Sequence, residues 1–192
     1  NIEDTNKISN LDILDTKFNF KILELEGISL EDDWSKLSKL KNLETLILKD
    51  SYIDFKKFYN AIFSLKKLNK LRLNHYCYFN KQKNDKFEKN LKLSSLKEFC
   101  LEFPNPDEPN FEINTYFQKS YKNKHNSITD VPDSHIVFPN LEVIKLINYQ
   151  TYKQRIIEDD KYNKKIFKEI YWNTKIDDLK RFKKLKNIII DN

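Results

Sequence analysis

The chain has 192 residues, of which 39% are hydrophobic and 14% aromatic, so it is long and apolar enough to bury one sizeable core and is not a disordered protein. It contains no run of 18 apolar residues, which excludes a transmembrane helix. The formal net charge is +6, but nearly all the basic residues are lysines, and readout of base edges favours arginine. We therefore interpret the charge as ordinary surface solvation.

An apolar pattern of fixed spacing runs through the chain. It first occurs in full at Leu40, Leu43, Leu46 and Leu48, with the spacing Leu-x-x-Leu-x-x-Leu-x-Leu. Four further copies begin at Leu65, Leu93, Phe138 and Phe182, and a looser copy begins at Phe20. The last two apolar residues of each copy alternate with other residues, as in a strand with one buried face. The pattern predicts six strands, which contain residues 23, 46, 71, 99, 144 and 188.

This pattern resembles that of the leucine-rich repeat family. The resemblance implies an α/β solenoid shaped like a horseshoe, with parallel strands on the concave face and helices on the convex face. It also implies that the protein offers a surface to which other proteins bind. The family's asparagine ladder, which ties its turns to the backbone, is not kept, because the matching positions hold Ile28, Ser51, Tyr76, Pro104 and Tyr149. We therefore expect irregular turns in which aromatic packing replaces the ladder.

Between the first strands the apolar residues change to helical spacing. The residues that share one face are Trp34, Leu37 and Leu40 in the first helix, and Phe55, Phe58, Ile62 and Leu65 in the second. Ser29 and Asp32 are spaced as a capping box for the first helix, and Asp54 is placed to cap the second. Further helices are predicted near residues 87–91, within 150–175 and near 176–182.

Two intervals between strands are nearly twice as long as the others. All five prolines lie between residues 104 and 139, and proline interrupts both helices and sheets. We therefore predict a loop insertion at 104–137 in a single domain that spans residues 1–192. Near the N-terminus, the apolar residues at 8–18 fit either a capping hairpin or the remnant of a repeat. Because an open repeat exposes its core, we expect the polypeptide to continue beyond the last strand or a partner to cover that end.

The sequence offers no pattern of residues for catalysis or metal binding. Its three histidines lack ligand-spaced neighbours, and the single glycine, Gly27, cannot build a phosphate-binding loop. Cys77 and Cys100 have no metal-site spacing, and two free thiols are favoured over a disulfide, which suits a reducing, cytoplasmic compartment. We predict a protein that is not an enzyme, with no cofactor, no metal and no small-molecule substrate.

The candidate binding surface is made by the strand side chains that alternate with the core residues and so point away from the core. Apolar residues on this surface are surrounded by charged ones, which is typical of a protein-binding site. Aromatic residues in the turns after the strands extend it. The predicted partner-binding residues are Ile47, Lys49, Arg72, Asn74, Tyr76, Glu102, Val143, Lys145, Ile147 and Tyr149.

A basic segment supports a different hypothesis. Residues 161–186 contain ten basic and three acidic residues, and a basic helix can bind the phosphates of nucleic acid or an anionic membrane. The aromatic residues interleaved in this segment suit a stripe that faces the core equally well. A protein partner is therefore the preferred hypothesis, and an electrostatic binder of nucleic acid or anionic membrane is the alternative.

Overall fold

The computed structural model describes residues 6–14, 18–74, 77–80, 92–102, 138–147 and 182–191. In these residues the strands are β1 (Asn6–Ile8), β2 (Ile22–Glu26), β3 (Thr45–Lys49), β4 (Tyr52–Asp54), β5 (Lys70–Asn74), β6 (Tyr78–Asn80), β7 (Glu98–Glu102), β8 (Val143–Ile147) and β9 (Asn187–Asp191). The helices are two 3-10 helices, Leu11–Ile13 and Trp34–Lys39, and one α-helix, α1 (Phe55–Phe63). None of these helices is long and apolar enough to cross a membrane.

The main sheet contains seven parallel strands in the order β1-β2-β3-β5-β7-β8-β9, and β4 pairs with β6 in a separate small parallel sheet. The chain is therefore α/β with a parallel sheet, and all six predicted strands are confirmed. The first core residue of each predicted strand lies directly opposite that of its neighbour, in the series Leu23, Leu46, Leu71, Phe99, Ile144 and Ile188. The sheet therefore keeps one register from β2 to β9.

The Leu-x-x-Leu part of the pattern forms a tight turn before each strand. The Leu43 N–H donates to the Leu40 carbonyl oxygen at 3.0 Å. The same bond recurs in the later copies, at Leu68, Leu96, Leu141 and Leu185. The residue after the turn links neighbouring strands. The carbonyl oxygen of Glu44, for example, accepts the N–H groups of Asn69 and Lys70 at 2.9 and 3.1 Å. The two apolar residues that are three apart in the pattern are therefore the first and last residues of a turn, and a backbone hydrogen bond joins them.

Behind β2, β3 and β5 the core is filled by the two predicted helices. The rings of Trp34 and Phe58 meet edge to face, with their centroids 5.5 Å apart, and both side chains are fully buried. The first helix is a 3-10 helix, in which residues three apart lie on one face, as the spacing of Trp34 and Leu37 requires. The second helix, α1, begins after Asp54 as predicted, because the Lys57 N–H donates to the Asp54 carboxylate at 2.9 Å.

The predicted capping box of the first helix is wrong. Asp33 caps this helix instead, since its carboxylate accepts the Ser35 N–H at 3.1 Å. Ser29 and Asp32 close the turn that precedes the helix, where the Ser29 N–H donates to the Asp32 carboxylate at 2.7 Å. The box pattern therefore marks the turn and not the first helical residue.

A side-chain ladder links the turns that follow the first strands, contrary to expectation. Ser51 is completely buried; its hydroxyl oxygen accepts the Ile28 N–H at 3.2 Å and its hydroxyl donates to the Lys49 carbonyl at 2.7 Å. The next member is the buried Cys77, which lies beside the Ser51 backbone and whose thiol donates to the Asn74 amide oxygen at 3.4 Å. Cys77 lies one residue beyond Tyr76, the position that equal spacing predicts, because the turn after β5 is one residue longer.

At the N-terminal end, β1 pairs with β2 in parallel, with Asn6 opposite Leu23. A hairpin would be antiparallel, so β1 and β2 do not form a hairpin. Further along, β7 pairs directly with β8, and β8 with β9, so neither long interval places a strand between them. The predicted loop insertion at 104–137 and the predicted helices near 87–91, within 150–175 and near 176–182 lie outside the described residues, apart from Phe182.

Candidate functional site

One face of the main sheet points away from the core, and we call it the open face. It carries alternate residues of the strands from β2 to β9, as the alternation of half-buried and fully buried residues along β2 and β3 shows. Because the strands share one register, residues of the open face line up in rows across the sheet. Side chains from neighbouring strands can therefore pair along and between these rows.

Glu98 links three strands of the open face. One of its carboxylate oxygens lies 3.1 Å from the Lys70 ammonium on β5 and 3.0 Å from the Lys145 ammonium on β8. Burial acts to raise the pKa of Glu98, but hydrogen bonds from Lys145, Cys100 and Lys70 outweigh it and hold the pKa below its ordinary value of 4.5. The carboxylate is therefore ionised at neutral pH and fixes two lysines on the face.

Two further ion pairs cross between strands. Arg72 donates two hydrogen bonds to one carboxylate oxygen of Glu102, from Nε at 3.1 Å and from Nη2 at 2.7 Å. Lys49 lies 3.0 Å from the Glu24 carboxylate. The four basic residues of the open face from β2 to β8 are matched by four acidic ones: Lys49, Lys70, Arg72 and Lys145 against Glu24, Glu26, Glu98 and Glu102. This surface therefore has no net formal charge.

Cys100 lies beneath these ion pairs on the open face, as its alternation with Phe99 and Leu101 predicts. It is 1% exposed, and its thiol lies 3.2 Å from the Glu98 carboxylate. Burial, together with the hydrogen bond and negative charge of Glu98, raises the pKa of this thiol to about 12. Burial likewise raises the pKa of Cys77 to about 12. Both cysteines are free thiols, which confirms that prediction, and both are poor nucleophiles at neutral pH.

Seven of the predicted partner-binding residues are half-buried on the open face: Ile47, Lys49, Arg72, Glu102, Val143, Lys145 and Ile147. The predicted set leaves out Glu24, Lys70 and Glu98, which alternation places on the same face and which the structure joins to it by ion pairs. Opposite charges at facing positions, such as Lys70 and Glu98, are the signal that would have indicated these residues. Two predicted residues, Tyr76 and Tyr149, lie outside the described residues.

Asn74 differs from the other predicted residues because its side chain is only 9% exposed. Its amide oxygen accepts the Asp50 N–H at 3.1 Å, and its amide nitrogen donates to the Asp50 carboxylate at 3.3 Å. Asp50 has a φ of 47°, a left-handed conformation that asparagine and aspartate tolerate better than other side chains. Asn74 therefore stabilises the turn after β3 and offers little surface to a partner.

The part of the chain that the structure describes holds no group of three or more His, Cys, Asp or Glu side chains placed to bind a metal ion. Comparisons with protein-family models, curated proteins and solved structures find no match. The function is therefore inferred from the geometry of the chain's own residues.

Proposed function

We propose that this chain is a leucine-rich repeat solenoid whose strands line a concave face, and that it binds another protein on that face without catalysing a reaction. Support comes from the repetition of one unit: a turn closed by a backbone bond, a strand of five residues, and the same register from one copy to the next. Such units bury their cores by stacking on each other, and the strand surface is then left for binding.

The observation that carries the proposed function is the set of cross-strand ion pairs on the open face. The side chains of Arg72, Glu98 and Lys145 are already held in one arrangement before a partner arrives. Binding to fixed side chains loses less conformational entropy than binding to free ones. Half-buried apolar residues, Ile47 and Val143 among them, lie between the charges and can be covered by a partner.

The balance of charge on this surface favours a polypeptide partner over a polyanion. Four basic and four acidic residues give a pattern of alternating potential, which selects a partner with a complementary pattern of both signs. Nucleic acid and anionic membranes are attracted by an excess of positive charge. The basic segment 161–186, on which that alternative depends, falls mostly outside the described residues.

The test compares a double variant of the open face with a control. Ile47→Asp with Lys145→Glu removes an apolar contact and reverses one charge, whereas Lys56→Glu reverses an exposed charge on α1. Partners are captured from the native source on the immobilised chain, identified by mass spectrometry and titrated with each variant. We expect the double variant to weaken binding at least about tenfold, as for central interface residues, and the control to have little effect.

A thermal melt of each variant shows whether its fold is intact. Equal binding by the wild-type chain and the double variant would contradict the proposal. Retention of the chain on heparin or anionic vesicles, lost steeply as salt is raised, would support the electrostatic alternative.

A further inference from the structure

Six turns lie side by side where the strands of the main sheet begin, one directly before each of β2, β3, β5, β7, β8 and β9. Side chains link each turn to the next: the Asn42 amide donates to the Asn19 side-chain oxygen at 2.5 Å, and the Lys67 ammonium donates to Asn42 at 2.6 Å. The later links run from Ser95 to the Leu65 carbonyl, from Asn140 to the Ser94 carbonyl and from Lys184 to Asn140. We use the name turn row for residues 18–21, 39–44, 64–69, 92–97, 138–142 and 182–186.

The turn row concentrates positive charge. It contains ten lysines and two acidic residues, so its formal charge of +8 exceeds the +6 of the whole chain. Of the acidic residues, Glu44 lies 3.7 Å from the Lys21 ammonium. Glu142 lies 2.7 Å from the Lys186 ammonium, so the two acids neutralise only two of the ten lysines. All ten lysines are exposed: Lys21, Lys39, Lys41, Lys66, Lys67, Lys92, Lys97, Lys183, Lys184 and Lys186.

The residues that follow β2 and β3, at the other end of these strands, have the opposite charge. Residues 27–33 and 50–54 contain five acidic residues and no basic one. Charge is therefore separated along the direction of the strands, which uniform solvation by lysine would not produce. An anionic surface that attracts the turn row repels the opposite end, so the chain approaches such a surface in one orientation.

An exposed aromatic ring lies at the first turn of the turn row. Phe18 is 39% exposed and stacks on Phe20, with the ring centroids 4.9 Å apart. Phe20 packs against the core and so fixes the position of the Phe18 ring. An aromatic ring beside lysines is typical of proteins that bind the interface of a membrane, where the ring enters the headgroup layer and the ammonium groups meet lipid phosphates.

The composition and extent of the turn row favour a membrane over a nucleic acid. Neighbouring strands are about 4.8 Å apart, so the six turns spread the lysines over about 25 Å. Proteins that bind single-stranded nucleic acid stack successive bases on aromatic rings, and readout of duplex bases uses arginine. The turn row contains no arginine, and two of its four aromatic residues, Phe138 and Phe182, are buried. A broad array of ammonium groups beside one exposed ring matches a layer of anionic lipid headgroups.

We propose that the turn row docks this chain on an anionic membrane, with its lysines on the lipid headgroups and the Phe18 ring in the headgroup layer. The strands begin at the turn row and run away from it. The open face is therefore left outside the contact and stays free to bind a protein at the membrane. The turn row is a second surface, so this inference goes beyond the proposed function and does not depend on it.

Co-sedimentation of the full chain with phosphatidylcholine vesicles, with and without phosphatidylserine, tests the docking. We expect binding to the vesicles that contain phosphatidylserine and a steep loss of this binding as salt is raised. Lys66→Glu with Lys67→Glu should weaken it at least about tenfold, because each lysine near such a surface contributes about fivefold. A wild-type chain that does not bind these vesicles at low salt would overturn the proposal.

The matched control is Lys56→Glu with Lys57→Glu, an adjacent exposed pair that changes the net charge equally. It lies at the start of α1, and the end of this helix leads into the turn row. Nine residues make α1 about 14 Å long, so most of the helix, more than a Debye length of about 10 Å, separates this pair from the turn row. We expect the control to bind vesicles within about twofold of the wild type.

A second pair of lysines is tested because the Lys66 ammonium also donates to the Phe63 carbonyl at 3.3 Å, and its loss can affect the fold. Lys41→Glu with Lys97→Glu reverses two exposed charges on other turns of the row and should weaken vesicle binding equally. A thermal melt of each variant shows whether it is folded. Vesicle binding that survives both turn-row variants would assign it to the basic segment 161–186 and overturn the proposal.

Phe18→Ala distinguishes a membrane from a nucleic acid. Because the ring enters the headgroup layer, its loss should weaken vesicle binding several-fold and leave binding to a duplex DNA oligonucleotide unchanged. Tighter binding to the duplex than to the vesicles, together with vesicle binding that Phe18→Ala does not weaken, would show that the turn row binds nucleic acid instead.

Discussion

In β2, β3 and β5 both core residues of each strand are at most 2% exposed, whereas the last three strands become progressively more open. β7 and β8 each bury their first core residue but leave the second, Leu101 and Leu146, only partly buried, and β9 leaves both about half exposed. The apolar pattern is the same in all six strands. The pattern thus determines which way a residue points but not how much of it is buried.

The largest expected effect is a difference between matched core positions in the two parts of the sheet. Leu71→Ala should lower the free energy of unfolding by about 2–5 kcal/mol, because it leaves a cavity in a fully packed core. Ile188→Ala, at the same position of β9, should cost less than about 1 kcal/mol, since half of the side chain already contacts solvent. Urea titration of both variants measures the difference. Equal losses would mean that β9 is buried as deeply as β5.

The second prediction concerns the ladder that ties the turns of the first part together. Ser51→Ala leaves the buried Ile28 N–H without its acceptor and should lower the free energy of unfolding by about 1–3 kcal/mol. Ser35→Ala is the control, because Ser35 is exposed and its hydroxyl donates to the neighbouring Asp33. Both are measured by urea titration at the same pH. If the two variants lost equal stability, the ladder would contribute nothing.

The comparison also explains what the sequence could predict. Spacing of two between strand residues and of three or four between helix residues is a local property, so the six strands, their common register and the helices at Trp34 and Phe55 could be predicted, whereas the 3-10 form of the first helix was not. β1 was not predicted as a strand, since only Ile8 marks it and it lies 17 residues before its partner position on β2. The ladder was missed because one extra residue after β5 moves its member to Cys77.

The open face was predictable in position but not in detail. Alternation places Arg72, Glu98 and Asn74 on one side of the sheet, yet their partners depend on side-chain rotamers and on diagonal contacts between strands. Asn74 illustrates this limit, because its amide bends towards Asp50 and is buried there. A charged residue's strand and face follow from the sequence, whereas its choice between two neighbouring partners does not.

The third prediction tests the backbone of the first turn. Gly27 follows β2 with a φ of 70°, and a β-carbon built there would meet no atom within 4 Å. Gly27→Ala should therefore cost only the conformational penalty, about 1 kcal/mol. Gly27→Asn should cost less, because the equivalent residue after β3 is Asp50, which is also left-handed. Thermal unfolding of the two variants distinguishes them, and a loss of several kcal/mol for alanine would indicate a steric clash that the structure does not contain.

The smallest expected effect lies at the boundary between the two parts, where Glu98 joins Lys70 of β5 to Lys145 of β8. The pKa of Glu98 is lowered in the folded chain, so this residue adds stability above its ordinary pKa of 4.5 and loses that contribution as the pH falls through the folded value. Glu98→Gln should therefore cost about 1 kcal/mol at pH 7, typical of a partly exposed pair, and progressively less in acid below the ordinary pKa. Glu44→Gln is the control, because its pair with Lys21 is 3.7 Å long and more exposed. The free energy of unfolding of both variants is measured across this pH range. If the loss caused by Glu98→Gln did not fall with pH, the ion pairs of Glu98 would contribute nothing. β7 and β8 would then be joined by backbone and core contacts alone.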